Sequence, residues 1–226
     1  SWNALPPSPR PPHSPSRRNQ PRLYAIVDVE VCARAGKAPV EVARAYFSAG
    51  VRLVQLRAKT WESGAFLDLA HAVVTDANAA GATVVINDRA DIAAISGAHG
   101  LHLGQDDLTP RDARTVVGPS SWLGLSTHTE AQWTAALDEP IAYIAIGPVF
   151  GTGTKATGYD AVGLATVRQA AAAAAAKGIP LVAIGGITLE SAASVLASGA
   201  SSVAVISDLL MGDPEGRARE FIQALR

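Results

Sequence analysis

Eight short, strongly apolar segments, each followed by a longer segment of helical period, dominate the sequence from residue 22 onward. The apolar segments leave no polar face for water, which is typical of parallel strands covered by helices. Eight such units predict an α/β fold, a single closed (β/α)8 TIM barrel. A doubly wound open sheet is the alternative, and it is disfavoured because no Gly-x-Gly-x-x-Gly follows the first strand. The predicted strands are 22–28, 52–57, 83–87, 100–104, 122–126, 142–147, 180–184 and 202–206, and the predicted helices are 39–49, 62–80, 90–96, 109–117, 129–137, 163–177, 189–198 and 214–226.

The N-terminal segment differs in composition from the rest of the chain. Residues 1–22 hold seven of the 14 prolines, four arginines and no acidic residue. Such a segment buries too little apolar surface to offset the entropy of ordering. We therefore predict a disordered Pro/Arg-rich arm over 1–22 and one catalytic barrel domain over 23–226. The arm is interpreted as a tail without function, with a docking or targeting signal as the alternative.

Charge and cysteine content exclude several classes of protein. The net charge is −1, and because the arm is basic the barrel itself is acidic, which argues against nucleic-acid binding. A single cysteine, Cys32, excludes an internal disulfide and suits a reducing compartment. No apolar run is long enough for a membrane span, and no signal peptide is recognised. We expect a cytoplasmic protein with no membrane partner, and the sequence leaves open whether it forms a homo-oligomer.

Cationic and acidic residues follow the second, third and fourth strands. Strand alternation places Gln55, Arg57 and Lys59 on one face, which in a barrel is the interior and its upper rim. Asp88 and Asp107 end the next two strands. Carboxylates beside cationic phosphate binders predict a bridging Mg²⁺ and a pyrophosphate site. The alternatives are an internal salt bridge for the cations, helix capping for Asp88 and a solvated loop acid for Asp107.

The fifth and sixth strands end in hydroxyl- and glycine-rich sequence. Ser126 is interpreted equally as a helix cap or as a ligand contact. His128 is a candidate general acid or base, although a single histidine is more often structural. The loop 147–155 ends in the cation Lys155 and is interpreted as a mobile lid over a ligand, with an ordinary flexible loop as the alternative.

The last two strands end in small residues. Gly185 and Gly186 follow strand seven and Ser207 follows strand eight, which is the usual phosphate site of this barrel. The alternative is a tight turn without a ligand. A monophosphate site beside a Mg²⁺–pyrophosphate site indicates an enzyme that joins a phosphorylated nucleophile to a carbon bearing pyrophosphate.

Taken together, these motifs resemble the thiamine-phosphate synthase family over residues 23–226. Their order and placement at strand ends carry the resemblance, since no single motif is specific. One departure is Gly151, where a proline is frequent in the family. The motifs are Gln55-x-Arg57-x-Lys59, Ile86-Asn87-Asp88, His102-Leu103-Gly104-Gln105-Asp106-Asp107, Ser126-x-His128-Thr129, Gly147-Pro148-Val149-Phe150 with Thr152-x-Thr154-Lys155, Ile184-Gly185-Gly186-Ile187 and Val205-Ile206-Ser207.

The resemblance implies a transferase that forms a C–N bond between a pyrimidine pyrophosphate and a thiazole phosphate. It implies that Gln55 contacts the pyrimidine and that Ser126 assists at the pyrimidine and pyrophosphate. It assigns the pyrophosphate to Arg57, Lys59, Asn87 and Lys155, and Mg²⁺ to Asp88 and Asp107. It assigns the thiazole to Thr152 and Thr154, and the thiazole phosphate to Gly185, Gly186, Ile206 and Ser207. The residues expected to take part in catalysis are Arg57, Lys59, Ser126 and Lys155.

The mechanism that fits these residues is dissociative substitution without a covalent enzyme intermediate. The nearest alternative is a thiazole tautomerase of the same superfamily, which would use a histidine such as His128 and needs no pyrophosphate site. Two more distant alternatives are another phosphate-binding barrel, such as a sugar-phosphate isomerase, and a catalytically silent binding protein.

Overall fold

The barrel is closed and entirely parallel. A computed structural model describes residues 20–151 and 158–226. Eight parallel strands pair in the order β1 to β8, and β8 pairs back with β1. The (β/α)8 fold is therefore confirmed and the open sheet is wrong. Most of the predicted arm, and Thr152, Thr154 and Lys155, lie outside the described residues, so the predictions made for them stay predictions.

The predicted elements agree with the structure to within one or two residues at most ends. The strands are β1 Leu23–Asp28, β2 Leu53–Arg57, β3 Thr83–Asn87, β4 Gly100–Leu103, β5 Trp122–Thr127, β6 Tyr143–Ile146, β7 Leu181–Ile184 and β8 Ser202–Val205. The described helices are α1 Val29–Arg34, α2 Pro39–Ala49, α3 Ser63–Ala80, α4 Ala90–Ser96, α5 Pro110–Val117, α6 Glu130–Ala136, α7 Gly163–Lys177, α8 Leu189–Ala197 and α9 Pro214–Ala224, with a 3-10 helix at Ser207–Leu210. Sequence reasoning missed α1 and the 3-10 helix.

Helices α3 and α7 end as the sequence predicts. Gly81 and Gly178 follow them in the left-handed conformation, and their N–H groups return to carbonyls of the last helical turn. A glycine adopts this conformation without the steric cost that a Cβ would add. The chain can therefore reverse sharply and enter the next strand.

The core has two layers. The larger lies between the strands and the surrounding helices. The smaller fills the barrel interior and contains Tyr24, Trp122 and Tyr143, whose rings contact one another. Tyr24 also lines the cavity above this layer. The inner aromatic layer is thus a floor for whatever the open end of the barrel binds.

Gly124 on β5 leaves the space that the Tyr143 ring occupies. A Cβ at position 124 would lie 2.0 Å from Cζ of Tyr143. We expect Gly124→Ala to lower the free energy of unfolding by about 1–3 kcal/mol, because overpacking forces core groups to shift. Urea denaturation measures this. Gly64→Ala is the control, since an added Cβ there meets no atom within 4 Å; equal stability of the two variants would show that the inner layer is loosely packed.

Candidate active site

One cavity of about 760 Å³ lies at the carboxyl ends of the strands. Strand ends far apart in sequence meet there because all eight strands run in the same direction. Every described residue of the sequence-predicted site lines it: Gln55, Arg57, Lys59, Asn87, Asp88, Asp107, Ser126, Gly185, Gly186, Ile206 and Ser207. The structure thus brings the predicted residues together, and their individual roles stay predictions.

Arg57 is held by a buried carboxylate that sequence reasoning missed. Its Nη1 lies 2.5 Å from Oδ2 of Asp28, which is 2% exposed. The other oxygen, Oδ1, accepts from the N–H groups of Glu30 and Val31, both at 3.0 Å, and so caps α1. The internal salt bridge considered as an alternative therefore exists, yet Arg57 still lines the cavity. A fixed carboxylate orients the guanidinium toward a ligand.

Lys59, Asp88 and Asp107 form a charged cluster on the same side of the cavity. Lys59 Nζ lies 2.6 Å from Asp88 Oδ2, and Asp107 Oδ2 accepts from the N–H of Gly104 at 2.7 Å. Helix α4 begins after Arg89 without a side-chain cap, so Asp88 does not serve as the cap that the alternative supposed. Burial, and next the neighbouring Asp107 carboxyl, raise the pKa of Asp88, although Lys59 opposes them.

The two carboxylates fit a divalent cation. Burial and the Asp107 carboxyl raise the pKa of Asp88 even though Lys59 lies beside it, so a further positive charge here would stabilise the ionised Asp88. Within residues 20–151 and 158–226, no group of three or more His, Cys, Asp or Glu side chains is arranged to hold a metal. Two carboxylates completed by substrate oxygens are a donor set that suits Mg²⁺ better than a closed zinc site.

Ser126 and Gln55 lie on the other walls of the cavity. Helix α6 is capped by Thr129, whose side chain accepts from the N–H of Gln132, so Ser126 is not the cap. Ser126 Oγ instead lies 2.7 Å from Nε2 of His102, and Gln55 Nε2 donates to the hydroxyl of Tyr24 at 3.0 Å. Both residues are therefore fixed from below and accessible to a ligand from above.

The surroundings of His128 are those of a structural contact. Its Nδ1 lies 2.6 Å from the carbonyl oxygen of Gly147, and its ring stacks on Tyr159 at 3.8 Å between centroids. These contacts join the end of β5 to the chain on either side of the loop that follows β6. This arrangement gives no support to His128 as the proton carrier of a tautomerase.

The glycine pair after β7 is required by close packing as well as by its backbone conformation. Gly185 and Gly186 have φ of 105° and 65°, and a Cβ on Gly186 would lie 2.7 Å from the carbonyl oxygen of Gly151. Within the described part of the chain, the N–H of Gly186 donates to no protein acceptor. A backbone donor that lines a cavity without a partner is suited to a phosphate oxygen.

Asp208 connects the loops that follow β7 and β8, and the sequence did not predict this role. Its Oδ2 accepts from the N–H of Leu189 and from Nη2 of Arg217, both at 2.8 Å. The carboxylate therefore ties the start of α8 to the segment after β8. The only sequence signal was an acidic residue directly after Ser207, since its partners are 19 and 9 residues away.

A parallel barrel with a charged cluster at the ends of β2, β3 and β4 and a backbone donor at Gly186 after β7 defines a class, the phosphate-handling (β/α)8 enzymes. A family model described as thiamine monophosphate synthase matches residues 23–209. A thiamine-phosphate synthase of Koribacter versatilis is 44% identical over 210 residues, covering 91% of this chain and 96% of that protein. One of Thermus thermophilus is 40% identical over 208 residues, covering 90% and 97%. The chain belongs to the thiamine monophosphate synthase family.

Solved structures agree with this assignment. A thiamine phosphate pyrophosphorylase from Pyrococcus furiosus superposes with a TM-score of 0.83 at 26% identity, covering 93% of this chain and 98% of that one. A native KDPGal structure superposes with a TM-score of 0.65 at 21% identity, covering 89% and 93%, and shows the shared barrel alone. Among the described helices, none is long and apolar enough to cross a membrane.

Proposed function

We propose that this chain joins 4-amino-2-methyl-5-hydroxymethylpyrimidine pyrophosphate to 4-methyl-5-(β-hydroxyethyl)thiazole phosphate, giving thiamine phosphate and pyrophosphate. The relatives named as thiamine-phosphate synthases align over about nine-tenths of the chain. The observation that carries the proposal is the division of the cavity. Arg57, Lys59 and the two carboxylates come from the ends of β2, β3 and β4, and the Gly185–Gly186 rim follows β7, across the closed barrel from β3.

The charged end suits the pyrophosphate. Arg57, Lys59 and Asn87 would bind its oxygens, with Lys155 as a further predicted contact outside the described residues. Asp88 and Asp107 would hold Mg²⁺. The chemistry that the bound metal supplies is neutralisation of the negative charge that grows on the departing pyrophosphate.

The reaction needs no enzyme nucleophile. The bond between the pyrimidine methylene carbon and the pyrophosphate oxygen breaks, and its electron pair leaves with the pyrophosphate. The electron-rich aminopyrimidine carries the resulting cation until the thiazole nitrogen donates its lone pair and forms the C–N bond. Arg57 and Lys59 stabilise the leaving group, and alignment of the two substrates in one cavity supplies much of the remaining acceleration.

The glycine rim gives a prediction about one substrate only. We expect Gly186→Ala to raise the KM for the thiazole phosphate by about 10-fold or more, because a lost or displaced phosphate contact costs more than 1 kcal/mol. The KM for the pyrimidine pyrophosphate should change little, since its site lies at the other end of the cavity. Steady-state kinetics with each substrate varied in turn measure both. Gly151→Ala is the control, because a Cβ there meets no described atom within 4 Å. Equal changes in both KM values would contradict the assignment.

The activity is tested by a coupling assay. Purified protein is incubated with both substrates, with and without Mg²⁺, and thiamine phosphate is detected by fluorescence after oxidation. We expect product that requires both substrates and disappears on chelation of the metal. No product from folded protein that still binds the thiazole phosphate would overturn the synthase and favour the tautomerase. Product in the presence of chelator would remove Asp88 and Asp107 from their roles.

We further propose a cytoplasmic location. It is supported by the single cysteine, Cys32, which is buried and unpaired in keeping with a reducing compartment. Cell fractionation with an antibody to the chain tests this, and recovery outside the cytoplasmic fraction would contradict it.

A further inference from the structure

A hydrogen-bonded chain of five side chains crosses the floor of the cavity. Gln55 Nε2 donates to the Tyr24 hydroxyl at 3.0 Å, and the Tyr24 and Tyr143 hydroxyls lie 3.0 Å apart. The Tyr143 hydroxyl lies 2.7 Å from His102 Nδ1, and His102 Nε2 lies 2.7 Å from Ser126 Oγ. The two end members, Gln55 and Ser126, both line the cavity. We name these five residues the polar chain.

The middle of the polar chain is buried and closely packed. Tyr24 and Tyr143 are 1% and 0% exposed, and burial raises the pKa of both phenols, so each keeps its proton at neutral pH. The Tyr143 ring stacks on Trp122 at 4.1 Å between centroids, and it fills the space that a side chain at position 124 would occupy. Each phenol therefore has one hydrogen to donate and a fixed position from which to donate it.

The amide of Gln55 sets the direction of donation along the polar chain. An amide nitrogen only donates, so the Tyr24 oxygen accepts from it. Among the described residues, the other hydrogen-bond partner of Tyr24 is Tyr143, to which it gives its own hydrogen. Tyr143 then donates to Nδ1 of His102, which leaves the imidazole hydrogen on Nε2. His102 Nε2–H donates to Ser126 Oγ, and the Ser126 hydrogen remains for a ligand.

The hydrogen-bonding role of Gln55, at the other end of the polar chain, follows from the same reasoning. With Nε2 of Gln55 committed to Tyr24, its Oε1 is the atom left for a ligand, and no described residue donates to it. The cavity therefore presents one acceptor at Gln55 and one donor at Ser126. A 4-aminopyrimidine offers the matching pair, an amino N–H and an unprotonated ring nitrogen. Its 4-oxo counterpart offers the reverse, a carbonyl acceptor and a ring N–H.

We propose that Tyr24, Tyr143 and His102 are positioning residues that hold Gln55 as an acceptor and Ser126 as a donor, and so select a 4-amino over a 4-oxo pyrimidine. The inference rests on the proposed function, which places a pyrimidine in this cavity. With this direction of donation, the 4-oxo compound sets its carbonyl oxygen against Oε1 of Gln55 and its ring N–H against the Ser126 hydrogen, and neither end can turn alone while the polar chain is intact. The selectivity thus belongs to the whole polar chain, although its two ends supply the acceptor and the donor for the amino group and the ring nitrogen.

Binding measured without turnover tests the inference. The full-length protein with Mg²⁺, and without thiazole phosphate, is titrated calorimetrically with the 4-amino and the 4-oxo pyrimidine pyrophosphates. We expect the 4-amino compound to bind the wild type about 100-fold more tightly or better, because mismatched buried polar groups are left unpaired. Tyr143→Phe keeps the ring and cuts the polar chain, and it should lower this ratio at least about 10-fold. Tyr24→Phe should do the same, while the KM for the thiazole phosphate stays unchanged in both.

Trp122→Phe separates hydrogen bonding from packing. Trp122 stacks on Tyr143 but belongs to the floor and not to the polar chain, so this variant should keep the wild-type ratio. The inference is overturned if the wild type binds both compounds equally, if both tyrosine variants keep the ratio, or if Trp122→Phe loses as much of it. Wild-type discrimination that persists in a protein with no coupling activity would overturn the proposed function and leave the polar chain as the selector.

Discussion

Replacing Asp88 and Asp107 together by asparagine is expected to lower turnover by about 10³-fold or more and to abolish its dependence on Mg²⁺. An amide keeps the shape of the carboxyl group and removes the charge that attracts the cation. The two acids come from the ends of different strands and meet closely enough to affect the pKa of Asp88. The two carboxylates should therefore act as one metal site, and removing both should abolish Mg²⁺-dependent turnover in a single step. Turnover at increasing Mg²⁺ concentration measures the loss.

The unfolding temperature separates this loss from misfolding. Because burial and Asp107 raise the pKa of Asp88 above its ordinary value, folding disfavours its ionised form relative to the unfolded chain. Removing both charges should not lower the unfolding temperature without metal, while the stabilisation by added Mg²⁺ should disappear. Asp106→Asn is the matched control, since this exposed acid lines the same cavity next to Asp107. Mg²⁺-dependent turnover that survives in the double variant would contradict the metal assignment.

Arg57→Ala is expected to lower kcat by about 10²–10³-fold, as removal of a preorganised charge contact with the leaving group does. It also leaves the buried Asp28 carboxylate without its cation, which should destabilise the fold. Lys155→Ala is expected to cost a similar factor in kcat, although Lys155 lies outside the described residues. Steady-state kinetics and urea denaturation measure the two effects of Arg57→Ala.

A double variant separates the effect of Arg57→Ala on stability from its effect on catalysis. Asp28→Asn combined with Arg57→Ala removes the orphaned charge, so it should recover part of the lost stability without recovering kcat. A wild-type kcat in Arg57→Ala would remove Arg57 from the pyrophosphate site. Recovery of kcat together with stability in the double variant would show that Arg57 serves the fold alone.

The barrel was predictable because its signals are local and repeated. Most strands are apolar runs such as Leu181–Ile184, and several helices have apolar periodicity and end in glycines such as Gly81. The missed α1 spans six residues directly after β1, too short for helical periodicity to show. The predicted residues converged on one cavity because parallel strands bring all their carboxyl ends to one face.

The roles of several residues could not be predicted from the sequence, and the physical reason is the same for each. Asp28 pairs with a residue 29 positions away, so its role depends on strand register and not on its neighbours in sequence. Tyr24 and Tyr143 lie in apolar runs and look like ordinary core aromatics, while their hydroxyls meet across the barrel. His102 lies within a predicted strand, and its partners Tyr143 and Ser126 come from other strands that only the closed barrel brings to it.

The division of one cavity into two anion sites is tested most directly by a crystal structure of the protein with Mg²⁺, pyrophosphate and the thiazole phosphate. We predict the pyrophosphate and metal beside Arg57, Lys59, Asp88 and Asp107, and the phosphate of the thiazole against Gly185, Gly186 and Ser207. Both anions at the same end of the cavity, or the thiazole phosphate away from the glycine rim, would contradict the account.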